Sequence, residues 1–378
     1  MTQEPASGHQ RLRTLGVEEE FHLVDVRTRR LAPRAPELLT LMHQGNVVPE
    51  FQRCVVEVNT RVVGTLEDLR ADLIEWRSRV LTAAAGMGLG IVAAGMAPLA
   101  IPAELDVTET ERFRRMLAEY QLLAREQLIC GTQVHVQVAS RDQGVRVAHR
   151  VAAWLPTLLA LSASSPFTAN GTDSGYASGR TLTLIRWPTT GLTSWTQSEE
   201  EYDREVAALI RAGIISDEGM IYFDARATRI PTIELRICDS CPSVHTIVLI
   251  AGLFRALVDR EVRRDEEGRP GVAFSPAMGR AAVWRAARPG LEGGLIDLET
   301  ATPQAAGELL HDLVDSLHDE LVANGDWELV NSLLEAHLLA GSSAARQRRA
   351  LDRRGRLTDI VDLLMAETSS WELPGRGS

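Results

Sequence analysis

Residues 16–25 read GVEEEFHLVD, an apolar stretch that carries three adjacent carboxylates. Its apolar residues recur with a period of two, which is typical of a β-strand with one buried face. On such a strand Glu18 and Glu20 share one face, and His22 continues it. Glu19 falls on the opposite, apolar face, where we expect it to pair with an arginine or to cap a helix. Because adjacent carboxylates repel one another, the stretch predicts a fold that neutralises them.

The same alternation recurs in three further segments, 53–60, 131–139 and 231–238. Each predicted strand has one mainly aliphatic face and one polar face. The polar faces carry, in chain order, Glu57 and Asn59, then Gln133, His135 and Gln137, then Thr232, Glu234 and Arg236. A single strand of this kind is also typical of a solvated sheet face. Four strands that together gather acids with few cations favour one common site.

Several carboxylates that converge on one sheet face repel unless a cation neutralises them. Oxygen ligands favour Mg²⁺ or Mn²⁺ over zinc, and one histidine among the acids is compatible with both ions. Mg²⁺ that is held by few carboxylates keeps water ligands and binds substrate phosphates. The sequence therefore indicates a metal–nucleotide site on an antiparallel sheet.

The composition excludes several classes of site. All 40 basic residues are arginine, so the chain contains neither a P-loop lysine nor a lysine for Schiff-base chemistry. Any phosphate held by a side-chain cation must be held by arginine, which binds anions in a bidentate manner. The net charge of -11 argues against nucleic acid and anionic membranes as partners.

The four cysteines predict a reducing compartment, and we expect a cytoplasmic protein. Cys238 and Cys241 form a CxxC motif at the end of a predicted strand. One CxxC cannot supply a four-cysteine zinc site, and a redox pair usually begins a helix instead. A redox or metal role and a purely structural role both remain open for this pair.

Two segments resemble targeting signals and are interpreted otherwise. The first 13 residues lack the apolar segment of a signal peptide. Residues 80–103 carry no charge over a length that could span a membrane. We interpret them as the end of an amphipathic helix, then a glycine-rich turn and a short buried strand.

The order of elements predicts an α+β fold. The predicted strands are 15–24, 53–60, 89–95, 131–139, 181–187 and 231–238. The predicted helices are 36–43, 65–86, 108–127, 144–163, 198–212, 243–264, 276–287, 303–322, 326–340, 342–352 and 357–367. We expect one catalytic domain over 14–370, with a sheet-bearing part at 14–262 and a mainly helical C-terminal part at 271–370. Residues 1–13 and 371–378 are predicted to be flexible tails.

Six motifs occur in the order GVEEEF, VVEVNT, GTQVHVQ, LSASSPF, GYASGR and TIELRICDS. Together they resemble the type 2 glutamate–cysteine ligases, a group of carboxylate–amine ligases, from about residue 15 to residue 349. The resemblance implies a glutamine-synthetase-like fold, in which an antiparallel sheet forms a funnel and helices pack on its outer face. It implies that ATP and Mg²⁺ phosphorylate the γ-carboxylate of glutamate and that an amine, cysteine in the named activity, displaces the phosphate. It also implies a homodimer.

The resemblance assigns roles position by position. The implied metal ligands are Glu18, Glu20, Glu57, His135 and Glu234. The implied catalytic residues, which contact substrate or phosphate, are Arg236, Arg180 and Arg229. The implied nucleotide-binding residues are Arg226, Arg236, Asn59 and Gln133. In the C-terminal helices, Arg346 and Arg349 are candidates to reach ATP, although a solvated helix face is an equal interpretation of their segment.

The sequence also departs from the family pattern. Gly95-Met96-Ala97-Pro98-Leu99 stands where the family often has G-T/S-H-P-F, so a histidine is replaced by Ala97. Gln133 replaces another histidine, and Thr228-Arg229-Ile230 replaces a third. A specialised ligase for a different amine or acid therefore remains open. A phosphotransferase without amide formation and a nucleotide-binding protein without turnover also remain open.

Overall fold

The structure is a computed structural model that describes residues 12–42, 45–99, 106–193 and 196–372. Most of both predicted tails, namely 1–11 and 373–378, lies outside these residues. In the described part of the chain, no helix is long and apolar enough to cross a membrane. Residues 80–103 instead begin as the end of a helix and continue into a strand at Leu89–Val92, as predicted.

Seven strands of the described chain form one antiparallel sheet. They are β1 (Leu15–Asp25), β2 (Val47–Pro49), β3 (Val55–Asn59), β4 (Leu89–Val92), β5 (Thr132–Gln137), β6 (Ala225–Ala227) and β7 (Thr232–Leu235). The order is β2-β3-β1-β5-β7-β6, and β4 also pairs with β1. A separate hairpin joins β8 (Gly294–Asp297) and β9 (Thr302–Ala305).

The strand β1 is the centre of this sheet because it is long enough to pair with three neighbours. One edge pairs with β3, and the other pairs first with β5 and then with β4. The register places Glu20 opposite Glu57 and Glu18 opposite Asn59. Side chains of directly opposed residues lie on the same sheet face. The register therefore brings the acids of two predicted strands together.

The helices surround one face of the sheet and build the C-terminal part. They are α1 (Ala35–Leu41), α2 (Leu66–Gly86), α3 (Glu111–Tyr120), α4 (Leu122–Arg125), α5 (Arg141–Arg150), α6 (Leu155–Ser162), α7 (Gly179–Leu184), α8 (Glu199–Arg211), α9 (Val244–Glu266), α10 (Pro276–Ala287), α11 (Ala306–Ser316), α12 (His318–Asn324), α13 (Trp327–Ala340), α14 (Ser343–Arg354) and α15 (Leu357–Thr368). The α+β class and the outer helical layer agree with the prediction.

The aliphatic face of the sheet forms the main core. Val17, Val134 and Ile233 are buried there in one cluster with residues of α5, α6 and α9. Further along β1, Phe21 and Leu23 pack with residues of α1, α2 and β4 in a second cluster. Burial of this face fixes the register, because a slip of one residue would move its apolar side chains to the other side. The polar face is thereby directed away from the core.

The predicted strand 181–187 is wrong, because its first part belongs to the helix α7. Its threonine and leucine residues alternate as in a strand. The helix begins because Ser178 Oγ accepts a hydrogen bond from the backbone N–H of Thr181. That hydroxyl in turn donates to the buried Asp239 carboxylate at 2.7 Å. A tertiary contact thus overrides the local β pattern.

Two long predicted helices are also divided. The segment 144–163 contains α5, a 3-10 turn at Val151–Trp154 and then α6, whose first turn contains a proline. The segment 303–322 begins as β9 and continues as α11 and α12. Proline has no backbone N–H, so it fits the first turn of a new helix better than the interior of a long one.

Candidate active site

The polar face of the sheet forms the floor of a cavity of about 830 Å³. The residues predicted for the site from the sequence all line it, namely Glu18, Glu20, Glu57, Asn59, Gln133, His135, Arg180, Arg226, Arg229, Glu234 and Arg236. They come from β1, β3, β5, β6 and β7, and from α7 and the turn after β6. The alternation read from four separate segments therefore describes one continuous surface.

The acids of this floor form two groups. Glu18, His135 and Glu234 make one group, defined here as the first triad. Glu20, Glu50 and Glu57 make the second triad. Within each triad one ligand atom per residue lies within 4.8 Å of those of the other two. Each triad can thus hold a divalent cation.

In the first triad the acids already have partners. His135 Nε2 lies 3.1 Å from Glu18 Oε1. Glu234 is contacted by two guanidinium groups, Arg226 at 2.6 Å and Arg236. Burial alone would raise the pKa of Glu234, but these two arginines outweigh it and lower the pKa to about 2. Glu234 is therefore a carboxylate at neutral pH.

The second triad is held mainly by neutral donors. Glu20 accepts the backbone N–H of Gly131 at 2.6 Å, and Glu57 accepts an amide N–H of Asn59 at 2.9 Å. Burial and the nearby Glu50 raise the pKa of Glu20 to about 8. Burial and the neighbouring acids raise the pKa of Glu57 well above its usual value.

Gln133 links the two triads. Its side-chain oxygen accepts a hydrogen bond from Arg236 at 2.8 Å, and its nitrogen lies 3.3 Å from Glu20 Oε1. Its position opposite Glu18 in the register puts the amide between the two groups of acids. The residue that replaces a family histidine thus connects the arginine of one triad to a carboxylate of the other.

Arg180 is buried beside the second triad. Its guanidinium donates to the backbone carbonyls of Ile237 at 3.1 Å and Arg236 at 3.2 Å. A Cβ at Gly131 would lie 2.7 Å from Arg180 Nη2, so glycine at that position permits the close approach. Because Gly131 also donates to Glu20, the same backbone segment positions an arginine and an acid.

A buried aspartate organises the start of α7, where Arg180 lies. Asp239 accepts hydrogen bonds from the hydroxyls of Ser165 at 2.6 Å and Ser178 at 2.7 Å, and from the backbone of Ser164 at 2.9 Å. Ser178 then caps α7. The motifs LSASSPF, GYASGR and TIELRICDS therefore meet in one buried network, and its product is the position of Arg180.

Comparison with known proteins assigns the family. A model described as glutamate-cysteine ligase family 2 matches residues 14–362. The chain belongs to this family. The relatives and structural neighbours that it matches are glutamate–cysteine ligases by name, so this chain is a member of a family of ATP-dependent carbon–nitrogen ligases.

Two relatives show how far the similarity extends. The chain is 57% identical over 358 residues to "Putative glutamate--cysteine ligase 2-2" of Mycolicibacterium smegmatis, covering 94% of this chain and 90% of that protein. It is 55% identical over 358 residues to "Putative glutamate--cysteine ligase 2-3" of Rhodococcus jostii, covering 94% of this chain and 45% of that protein. The chain thus spans less than half the length of the Rhodococcus relative.

Two solved structures share the fold. The glutamate–cysteine ligase of Francisella tularensis, in complex with AMP, superimposes with a TM-score of 0.72 at 14% identity and covers 97% of this chain and 91% of that one. The bifunctional glutathione synthetase of Pasteurella multocida gives a TM-score of 0.70 at 15% identity over 95% of this chain and 52% of that one. The fold is therefore that of a glutamate–cysteine ligase.

The donor set of this ligase-family cavity fits divalent cations. Burial and mutual repulsion oppose the ionisation of Glu20, Glu50 and Glu57, so their pKa values are raised. A bound cation would remove this repulsion, and carboxylates together with one histidine suit Mg²⁺ or Mn²⁺. The acids therefore form a site that a metal ion would stabilise.

Several residues singled out in the sequence lie elsewhere than expected. Arg229 reaches only the rim of the cavity, where its side chain is 82% exposed and contacts Glu218. Arg346 and Arg349 do not line the cavity, and Arg346 forms an ion pair with Glu367 at 2.7 Å. His22, which continues the acidic face by alternation, is fully buried next to Cys130.

Ala97, which stands at a family histidine position, is also outside the cavity lining. It is buried in a cluster with Cys54, Leu128 and Cys130. The replacement of that histidine by alanine therefore leaves an apolar contact beneath the site and adds no polar group to the cavity.

Glu50 is the acid that the sequence did not reveal. It follows β2, a strand of three residues that ends in Pro49. Proline and so short a length hide this edge strand from a search for alternation. The available signal was an acid directly after an apolar pair and shortly before the strand that carries Glu57.

Proposed function

We propose that the protein is an ATP-dependent carboxylate–amine ligase. It activates the γ-carboxylate of glutamate as an acyl phosphate and joins it to an amine, with cysteine as the default acceptor by family. The observation that carries the proposal is the convergence of two acid triads with Arg180, Arg226 and Arg236 in one cavity. This set of charges suits a substrate that brings a polyphosphate and a carboxylate together.

The acids bind the metal and thereby the nucleotide. Mg²⁺, or Mn²⁺, would be held at the two triads and would supply positive charge to the phosphate oxygens of ATP. Asn59 orients Glu57 through the hydrogen bond at 2.9 Å, and Gln133 orients Glu20. The two polar residues thus act on the nucleotide through the acids they hold.

The arginines stabilise the transferring phosphoryl group and the acid substrate. Arg226 and Arg236 project into the cavity beside Glu234. Their charge stabilises the oxygens of the γ-phosphate as negative charge gathers there. Arg180, beside the second triad, is placed to hold a carboxylate of glutamate. Arg229 at the rim has a lesser role, in contact with the outer part of the nucleotide.

The reaction has two steps. An oxygen of the γ-carboxylate attacks the γ-phosphorus of ATP, the bond to the bridging oxygen breaks, and ADP leaves. The amine nitrogen then attacks the acyl carbon, the carbon–oxygen bond to phosphate breaks, and phosphate leaves. The nitrogen releases a proton to water or phosphate. No nucleophile of the protein is consumed in either step.

The setting of the reaction is part of the proposal. We place the protein in the cytoplasm, in accord with four buried cysteines that are free thiols in the described chain. We propose a homodimer on the basis of the family resemblance alone. The substrates are ATP, glutamate or a similar acid, and an amine.

The experiment is ADP release by the full chain with Mg²⁺, ATP, glutamate and a panel of amines that includes cysteine. Release of ADP and phosphate that depends on both acid and amine supports the ligase. Phosphoryl transfer in the absence of an amine would favour a phosphotransferase. ATP binding without turnover on any pair of substrates would overturn the proposal. Glu57→Gln is the control, since it removes one acid of the second triad and should abolish turnover.

A further inference from the structure

One end of the cavity lies next to Glu50 and differs in character from the rest. We define this aromatic end by its lining residues Phe51, Gln52, Arg112, Phe113, Gln127 and Tyr222. Phe51 directly follows Glu50 of the second triad, so the aromatic end adjoins the acids that would bind metal. A molecule bound there would lie beside the reacting phosphoryl group.

Apolar side chains form one wall of the aromatic end. The rings of Phe51 and Phe113 meet edge to face with centroids 5.4 Å apart. Met116 packs behind them in the same buried cluster, and Tyr222 contacts that cluster. Such a wall is complementary to an aliphatic or aromatic side chain. The small side chain of cysteine would leave much of this wall uncovered.

Two amide oxygens in the same end lack hydrogen-bond donors. Gln52 is 2% exposed, and its nitrogen donates to the backbone carbonyl of Gln127 at 3.1 Å, which fixes its orientation. Among the described residues, no donor reaches the side-chain oxygen of either Gln52 or Gln127, although both atoms are buried. A buried acceptor without a partner costs about 1–3 kcal/mol. The amine of a substrate would satisfy both oxygens.

Arg112 supplies a cation to the same end. Its ion pair with Asp217 is long, at 3.7 Å, and both side chains are about half exposed. Its guanidinium lies against Gly219, where a Cβ would come within 2.8 Å of Arg112 Nη2. The arginine is thus held by a loose surface pair and can exchange it for a stronger bidentate contact with a carboxylate.

We propose that the aromatic end binds the acceptor, and that the acceptor is an α-amino acid whose apolar side chain is larger than that of cysteine. Its amine donates to Gln52 and Gln127, its carboxylate binds Arg112, and its side chain packs on Phe51 and Phe113. This inference rests on the proposed ligase function and specifies its second substrate. The bond that forms is the same amide, with release of phosphate and of one proton from the amine.

The test compares acceptors in the ADP-release assay with the full chain, Mg²⁺, ATP and glutamate. Leucine and phenylalanine are compared with cysteine, and each is compared with its decarboxylated amine, 3-methylbutylamine or phenethylamine. We expect kcat/KM to be about tenfold or more higher for leucine or phenylalanine than for cysteine, because added apolar groups are discriminated on that scale. We expect the decarboxylated amines to be poorer by about tenfold or more.

Arg112→Gln separates carboxylate recognition from general damage. In this variant the amino acid and its decarboxylated amine should become equivalent acceptors, through a higher KM for the amino acid, with the KM values for glutamate and ATP unchanged. Arg115→Gln is the matched control, since Arg115 lies on the same helix and its side chain is 69% exposed in a pair with Glu111. A higher KM for glutamate in Arg112→Gln, or a preference of the wild type for cysteine, overturns the inference.

A binding measurement separates this inference from the proposed function. Calorimetric titration of leucine, phenylalanine and cysteine into the protein with Mg²⁺, glutamate and a non-hydrolysable ATP analogue needs no turnover. Tighter binding of leucine or phenylalanine that Arg112→Gln abolishes supports the aromatic end even if no amine promotes ADP release. Equal or tighter binding of cysteine overturns it even if the protein is an active ligase.

Discussion

Arg77 and Glu19 form a fully buried ion pair behind the acidic floor of the cavity, with Arg77 Nη2 2.5 Å from Glu19 Oε1. Arg77 also donates to the backbone carbonyls of Cys241, Pro242 and Thr368. Glu19 lies between the two metal-binding acids of β1. The pair therefore fixes the middle of β1 to the turn after β7 and to the end of α15, and it determines how the two triads are spaced.

The first prediction is that Arg77→Met strongly destabilises the protein. The substitution leaves Glu19 as an uncompensated buried carboxylate and three carbonyls without their donor. Removing one partner of a buried pair costs about 3–5 kcal/mol. Urea unfolding followed by circular dichroism measures the change in the free energy of unfolding.

The control for this prediction is Arg79→Met on the same helix. Arg79 is 41% exposed and pairs with Glu75, so its replacement should change the free energy of unfolding by less than about 0.5 kcal/mol. If both variants were equally stable, the buried pair would not be what holds β1 in place.

The second prediction concerns pH and metal. The pKa of Glu20 is raised to about 8 from an ordinary value of 4.5, so the folded protein holds a proton that the unfolded chain has released. Stability without metal should therefore fall as the pH rises from about 4.5 to about 8. With Mg²⁺ present the cation replaces the proton, and the fall should be reduced or reversed. Thermal unfolding at several pH values, with EDTA or with Mg²⁺, measures both effects.

Glu57→Gln is the matched variant for the pH experiment. It removes one repelling carboxylate from the second triad, so the melting temperature in EDTA should depend less on pH and respond less to Mg²⁺. A melting temperature in EDTA that rises over the same pH range, in the wild type, would contradict the raised pKa values.

The third prediction is that Glu50 is as important as the acids the sequence revealed. Glu50→Gln should reduce amine-dependent ADP release by at least about 100-fold and weaken Mg²⁺ activation, because one ligand of the second triad is lost. Glu37→Gln, in an exposed first turn of α1, should retain activity. Wild-type activity in Glu50→Gln would show that the second triad does not bind the essential ion.

The fourth prediction separates the position of Arg180 from helix capping in general. Ser178→Ala removes the cap of α7 and one hydrogen bond to Asp239, whereas Ser198→Ala removes only the cap of α8. Loss of an N-cap costs about 1 kcal/mol, so both variants should lose some stability. Only Ser178→Ala should raise the KM for the acid substrate. Equal KM values in the two variants would argue against the proposed role of Arg180.

Alternation predicted the floor of the site because the signal is local. Each of Glu18, His135 and Glu234 stands in a strand whose neighbours report which face is buried, and Glu19 is recognised as the exception by the same rule. The structure brings the predicted acids together because the register of β1 with β3 and β5 follows from burying the opposite face.

The remainder of the site depends on contacts that no local pattern contains. The helix α7 is capped by a serine bound to an aspartate 61 residues away, so the alternating sequence there misleads. Glu50 follows a strand too short to show a period. Arg112 lies on a helix outside every motif and becomes part of the cavity only through the fold.

The last prediction concerns the cysteines, which the sequence left between a structural and a redox role. All four are buried, and burial raises the pKa of the Cys54 and Cys238 thiols to about 12 and those of Cys130 and Cys241 well above their usual value. Because the thiolate is the reactive form, the native protein should react with Ellman's reagent roughly 100-fold more slowly than free cysteine. In guanidinium chloride under argon, the four cysteines of the sequence should all react. Fast reaction of two thiols in the native protein, or only two reactive thiols after unfolding, would instead favour a redox-active Cys238–Cys241 pair.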